Sequence, residues 1–392
     1  MKYGCNTVLP MSPEQIVLSF GPDEDDTEKT ERTILLPQGF PYFELKTLGE
    51  VLEKNDVFVP GYIPPSVGLY IPDGFIYENQ FRGIDTLLLP DRDIVSRMAK
   101  IASGAPMESM LQKAAAVKAF CHYLDIQIEP SLAFHEQAQS EGNVKANEEL
   151  AWFRSADNAE PAPWVELALG TSKSLKAALH PYLTKSYDFT FPLKRWRRNY
   201  IAALKIAEIE LIGGPNLDRM LKLIHWMKSD FIVAGPAALM GCIYYAPNSP
   251  PKAGLFKSLR SSDRNKAIKG IRNATWDLTH LSDFIRRVNE AESGTTRFLF
   301  ASFDEGLRNL AKLLLICFTN TLNHERIADA ISAWWPRKHA IHIAEALIDL
   351  LVCIDDKKRK YRQSTSPITI GDMITRGEMS VISFTGDISN HN

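Results

Sequence analysis

Residues 84–93 read IDTLLLPDRD and residues 297–307 read RFLFASFDEGL. Each opens with an apolar run of strand length, meets an aspartate within a few residues, and passes into a stretch whose apolar residues recur at helical spacing. A strand feeding a helix is the opening of an α/β unit. Residues 126–136, IQIEPSLAFHE, repeat the arrangement between the other two: a short strand Ile126–Ile128, then Glu129 and Pro130, then a helix from Ser131 with Glu136 just over a turn inside it. Serine is a favoured first cap because its hydroxyl accepts from an otherwise unpaired helical N–H. The expected fold class is therefore α/β.

Working outward, residues 21–33 (GPDEDDTEKTERT) are acidic and turn-rich and predict a loop. Short apolar pieces at Thr33–Leu36, Val57–Val59 and Val67–Ile71, set among Pro and Gly, predict strands in a β-rich N-terminal part, with a helix over 44–54 between them. Helices are predicted over 93–103 and 107–124. Residues 155–192, rich in Ala and Pro, have no regular period and predict an insertion or boundary. Residues 193–245 are helical, broken at Gly213-Gly214-Pro215 and at Gly235-Pro236, and 246–254 (APNSPPKAG) form a Pro-rich loop. Helices follow over 262–290 and 305–318, the chain stays helical to about 362, and a short strand is predicted over Met379–Phe384. The expected division is 1–81 as a β-rich region, 82–318 as the α/β domain with a helical insertion at about 155–260, and 319–392 as a helical C-terminal region.

The chain has 392 residues, 45% hydrophobic and 23% charged, a balance that indicates neither disorder nor a membrane-protein class. No run reaches the roughly 18 apolar residues that span a bilayer, and no leader pattern opens the chain, so a cytoplasmic protein is expected. Lys and Arg number 45 against 47 Asp and Glu, so any attraction for nucleic acid must be local. Three basic clusters offer it: Lys194, Arg195, Arg197 and Arg198 around Trp196; Lys257 to Lys269 with Arg260 and Arg264; and Lys357 to Lys360 with Arg362. The first carries an aromatic ring able to stack on a base. Cys5, Cys121, Cys242, Cys317 and Cys353 are scattered in mostly apolar surroundings and suit reduced, buried thiols.

Chemistry points to the acids. Asp91, with Asp93 two residues on, and Asp304 fall just beyond the carboxyl ends of strands, where open α/β sheets place their sites. Glu136 follows the middle strand, and Asp277, in NATWDLTH, lies on the helix before the last one. Four carboxylates drawn into one cleft repel one another unless a cation neutralises them. Oxygen-only ligation selects Mg²⁺ or Mn²⁺. Bound there, such an ion activates water for attack on a phosphodiester.

The order and placement of these residues resemble the PIN-domain family of ribonucleases. Asp91 and Asp93 match the family's first-strand aspartate and the small polar residue two positions on. Glu136 matches the glutamate after the second strand, Asp277 the aspartate on a late helix, and Ser302, Asp304 and Leu307 a Thr/Ser-x-Asp-x-x-Leu/Phe motif after a strand. The resemblance spans 82–318, which is why the insertion is expected. It implies an open, mainly parallel sheet flanked by helices, and a Mg²⁺- or Mn²⁺-dependent endonuclease acting on RNA in preference to DNA. Asp91, Glu136, Asp277 and Asp304 would be the metal ligands and catalytic acids, Asp93 and Ser302 would orient them, and Lys194–Arg198 would hold nucleic acid. A toxin, an anti-phage effector and an RNA-processing enzyme all fit, with a protein partner or inhibitor in some of these roles.

Rival readings attach to the same residues. Asp91, Asp93 and Asp304 also suit helix caps, and Asp277 a surface position. Glu148 and Glu149 in NEELAWF form an alternative acidic pair, and His280 beside Asp277 suits a structural histidine. Arg337 and His342 satisfy the loose Arg-x4-6-His spacing of the metal-free HEPN ribonucleases. A non-catalytic interaction protein, anchored through Trp334-Trp335, is the alternative outside enzymology.

Overall fold

A computed structural model describes residues 9–12, 15–20, 32–65, 67–182, 185–250, 252–291, 295–318, 323–352 and 368–385. The chain divides into two compact units, Met1–Phe191 with Arg287–Asp304, and Pro192–Arg286 with Glu305–Asn392.

The first unit opens with an antiparallel meander, β1 (Leu9–Ser12), β2 (Gln15–Phe20) and β3 (Arg32–Leu35). There follow α1 (Tyr42–Lys54), β4 (Phe58–Pro60), α2 (Pro72–Arg82), β5 (Asp85–Pro90), α3 (Arg92–Ala102), α4 (Ser109–Tyr123), β6 (Ile126–Ile128), α5 (Ser131–Glu141), α6 (Asn143–Asp157) and α7 (Ala162–Ala168). The second unit holds α8 (Lys194–Ile212), α9 (Asn216–Ser229), α10 (Gly235–Tyr245), the one-turn α11 (Lys252–Leu255) and most of α12 (Arg264–Glu290). The chain then gives β7 (Thr296–Ala301) to the first unit and α13 (Glu305–Phe318), α14 (His324–Ile331), α15 (Arg337–Val352) and α16 (Ile370–Ile382) to the second.

The protein is α/β and mostly helical, with one small mixed sheet of order β4-β7-β5-β6. The β7–β5 and β5–β6 pairs are parallel, and β4 lies antiparallel on the far side of β7. Gly83, at φ 57°, closes α2 in the left-handed conformation that glycine adopts without a Cβ clash, and β5 starts two residues later. Leu88, Leu299, Ala301 and Phe58 from three adjacent strands join Ile94, Met98 and Phe120 from the helices in one buried cluster. At about 1.5–3 kcal/mol for each large side chain removed from water, this cluster is what fixes the register of the short strands. Lys118, 2% exposed, is a cation carried inside the first unit; it donates to the Asp157 carbonyl (3.0 Å) and lies 3.6 Å from that residue's carboxylate.

Two predicted strands are corrected. Val67–Ile71 forms turns, because Gly68 sits at φ 117° and Pro72 opens α2 directly afterwards. The Tyr70 ring stacks on Phe58 at 5.5 Å, and its hydroxyl takes the Phe58 N–H (2.9 Å). Residues 1–81 are accordingly mixed, with two helices beside their strands. The strand predicted over Met379–Phe384 falls instead on the last turn of α16 and the residues after it. That helix is set by a reciprocal capping box between Thr369 and Asp372, which outweighs the β-branched character of the short run Val381-Ile382.

In the second unit Glu210 is buried against Arg219 and, at 3.2 Å, Arg260. Among the described residues Cys121, Cys242 and Cys317 are buried free thiols, and burial pushes Cys121 and Cys317 up to about 12. Cys5 and Cys353 lie outside the described residues. No described helix is long and apolar enough to cross a membrane.

Candidate functional site

The register that pairs Pro90 with Ala301 sets Asp91 and Ser302 side by side, one residue past the ends of β5 and β7. The ladder continues through them. Asp91 donates its N–H to the Ala301 carbonyl (2.9 Å), and Ser302 donates its own to the Val57 carbonyl (3.2 Å) just before β4. Their side chains then meet: the Ser302 hydroxyl donates to Asp91 Oδ2. The same hydroxyl oxygen accepts the Asp304 N–H at 2.9 Å. Asp91 Oδ1 accepts the Ile94 N–H at 3.1 Å, making Asp91 the N-cap of α3. Asp91 is 8% exposed and Ser302 is completely buried, whereas Asp304 is exposed. One serine thus fixes one carboxylate and the backbone that carries a second.

The third strand extends the pattern. Glu129 donates its N–H to the Leu88 carbonyl (2.9 Å), directly beyond β6. Its carboxylate accepts the Ser131 N–H (2.9 Å) and lies 3.8 Å from the Arg287 guanidinium. From β5 the chain reaches β6 on one side and β7 on the other, so the strand order reverses at β5. A reversal of this kind opens a crevice beyond the carboxyl ends, because the flanking connections leave the edge in opposite directions. Asp91, Ser302 and Asp304 lie at that place.

Of the four residues whose carboxylates were expected to act together, Asp91 through its carboxylate and Asp304 through its backbone N–H both meet Ser302. Glu136 is half-buried on α5 and is an electrostatic neighbour of Glu149 on α6. Asp277 is half-buried on α12 in the second unit. Among the described residues, no three His, Cys, Asp or Glu side chains are grouped so as to hold a metal ion by themselves. Of the two residues expected to orient the acids, Ser302 hydrogen-bonds Asp91. Asp93 is exposed and pairs with Arg97 at 2.9 Å, one helical turn along α3. Glu129 reads in the sequence as the end of a strand but not as a candidate acid, although the strand-end rule that singled out Asp91 applies to it equally.

The basic clusters are largely engaged within their own unit. Trp196 stacks on Tyr200 at 4.8 Å and lies 5.9 Å from Trp276, while Arg195 pairs with Asp283. Lys194 and Arg198 are exposed, and Arg197 is half-buried. Arg264 donates to the carbonyls of Leu259, Ser261 and Val381, so it serves as a clamp for the fold. Lys357 to Arg362 lie outside the described residues. Arg337 pairs with Asp329, and His342, five residues on, is turned roughly 140° around the helix from it. Trp335 is 1% exposed and donates its indole N–H to the Cys242 carbonyl at 2.8 Å, which makes it a core residue and removes it as an anchor for partners.

No family model matches this sequence, and neither a curated protein nor a solved structure matches it significantly.

Proposed function

We propose that this chain is a phosphodiester hydrolase of PIN-like type, an endonuclease acting on RNA in preference to DNA, with Asp91 as its central acid. The observation that carries the proposal is the Ser302 hydroxyl bridging Asp91 and the Asp304 backbone where the strand order reverses. It supports a site because a buried carboxylate held at two oxygens by a hydroxyl and a main-chain N–H has a fixed direction before any ligand arrives, and orientation is what catalysis needs.

The donor set is all oxygen, which suits Mg²⁺ or Mn²⁺, and among the described residues it includes no three-acid cage. Mg²⁺ commonly binds through one or two carboxylates together with substrate phosphates, so the residues fit an ion shared with the nucleic acid better than one held by protein alone. When bound, that ion supplies an activated water and neutralises charge on the phosphate. The protein's part is positional: Asp91 offers the outer lone pairs of its clamped carboxylate, and Asp304, exposed at the edge, offers a second carboxylate to the same crevice. Glu136 is the third acid of the proposal by its place after β6. The proposal is confined to the first unit.

The test is cleavage of a labelled single-stranded RNA with Mg²⁺ or Mn²⁺ supplied in increasing amounts. Cleavage should require the ion and should fall sharply in Asp91→Asn. Cleavage that continues undiminished in excess EDTA, or an Asp91→Asn variant as active as the parent, overturns the proposal.

A further inference from the structure

Residues 185–191, KSYDFTF, belong to no helix or strand, yet two of them are held at both of their backbone polar groups. Tyr187 donates its N–H to Asn147 Oδ1 (2.9 Å), and its carbonyl accepts from the side-chain amides of Asn143 and Asn147 (2.9 Å each). Phe189 donates its N–H to Asn143 Oδ1 (2.9 Å), and its carbonyl accepts from His135 Nδ1 (2.8 Å). Asn143 and Asn147 stand one turn apart on one face of α6, and His135 lies on α5. Alternate residues that turn both main-chain groups to one side follow the habit of a strand on a sheet edge. Here two asparagines and a histidine take the place of the neighbouring strand.

The rings supply the rest of the fit. Phe189 is the anchor, 9% exposed, 5.7 Å from the Phe134 ring and edge-on to His135 at 5.4 Å. Tyr187 lies under the Arg154 guanidinium at 5.7 Å. Between them Asp188 is exposed and accepts from the N–H and hydroxyl of Thr190, inside the segment itself. What the groove meets is therefore an extended main chain with aromatic side chains two residues apart. Its own residues lie 40 to 54 positions away, on helices that place Ala133, Phe134, Ala146, Leu150 and Phe153 in the core, so the groove does not depend on the strap for its walls.

We infer that the α5–α6 groove is a receptor for an extended Tyr-x-Phe segment of another protein, and that residues 187–189 occupy it in cis. The strap is exposed over most of its length and joins no ladder, which places it among the segments that open without global unfolding. Opening bares the Phe134 ring and leaves Asn143, Asn147 and His135 with unmet groups. Main-chain hydrogen bonds then give an incoming segment its affinity, and the aromatic pockets give it specificity, as when a peptide adds to a sheet edge. The same strap from a second copy gains nothing over the tethered one, whose effective concentration is about millimolar. A foreign segment gains by adding contacts beyond the two rings.

The test is fluorescence anisotropy of a labelled KSYDFTF peptide with the full chain carrying Tyr187→Ser and Phe189→Ser, which vacate the groove. The peptide should bind saturably, and a scrambled peptide of the same composition at least about tenfold more weakly. Asn147→Ala in that background should weaken binding about tenfold, the loss of a pair of neutral hydrogen bonds. Val144→Ala, exposed on α6 beside them, should change it less than about twofold. No binding, or equal binding of the scrambled peptide, overturns the inference. Hydrogen exchange on the parent decides the matter if the double variant unfolds. There the Tyr187 and Phe189 amides should exchange faster than those of α6, and faster still with free peptide; exchange only at the rate of the α6 core overturns the inference, because the strap then never opens alone. Parent and Asn147→Ala should sediment alike, whereas a dimer present in the parent and lost in Asn147→Ala overturns the assignment to another protein in favour of exchange between copies. The nuclease proposal rests on different residues, and none of these results bears on it.

Discussion

The two ends of the four-stranded sheet treat buried acids differently. At the amino end Glu78, 3% exposed, faces Arg297 of β7 in a close ion pair, and the guanidinium also lies over the Tyr62 ring at 4.7 Å. Burial raises the Glu78 carboxyl, and Arg297 draws it back down. At the carboxyl end Asp91 is oriented by a hydroxyl and a main-chain N–H. A guanidinium opposite a carboxylate cancels its field locally, which serves packing. Neutral donors leave the carboxylate's charge in place while fixing where its lone pairs point, which serves chemistry. Both acids are buried to nearly the same degree, and a hydroxyl and a main-chain N–H are among the partners of Asp91 where a guanidinium faces Glu78.

Asp91→Asn gives the sharpest break of that comparison. It keeps the shape of the cap and the hydroxyl contact but removes the charge, so RNA cleavage should drop about 10³-fold, roughly 4 kcal/mol in barrier, while the melting temperature moves by only a few degrees. Paired kinetics and calorimetry on one preparation check it. A variant that loses stability and keeps its turnover would place Asp91 with Glu78 as a structural acid.

At the other end the expectation inverts. Arg297→Met leaves Glu78 buried without its partner and should cost about 3 kcal/mol of the first unit's stability, with cleavage per folded molecule unchanged. Urea unfolding followed beside the RNA assay distinguishes the two. Ser302→Ala tests the clamp itself: Asp91 keeps its charge and its Ile94 bond but loses its lateral support. Turnover should fall about tenfold, near the 1.4 kcal/mol of one hydrogen bond to a charged group, with little change in substrate affinity. A Ser302→Thr variant, which retains the hydroxyl, should recover part of the loss if the clamp is what matters.

Much of this edge was legible in the sequence, and the reasons are local. Three apolar runs that end at Pro90, Glu129 and Ser302 carry their own stop signals, and their acids follow at fixed short distances. The seat of β4 was not legible, because its antiparallel place beside β7 joins residues some 240 positions apart and no local period encodes that. Trp196 looked like a free stacking surface for the same reason: Tyr200 is one turn away on α8, but Trp276 arrives from a helix 80 residues later. The helix at 370–382 did carry a signal, the Thr369-x-x-Asp372 spacing, which the β-branched residues near its end obscured. Pairwise neutralisation such as Glu78 with Arg297 has no sequence signature, so the partners of each buried acid needed coordinates.

Glu149 sharpens the comparison by offering a third condition, a carboxylate neither closely paired nor fully bonded. Its carboxyl is raised in the folded protein, chiefly by burial. Below the unfolded value of about 4.3 the group is protonated in both states and contributes nothing. As pH rises past that value the unfolded chain ionises freely while the folded one resists, so the folded state loses stability, and the loss is complete once pH exceeds the raised folded value. Glu149→Gln should therefore raise the melting temperature slightly at pH 7.5 and leave it unchanged near pH 4. A pH-independent difference, or a variant less stable at pH 7.5, would mean that the Glu149 carboxylate is as well compensated as that of Glu78, and the sheet's two ends would then account for every buried acid compared.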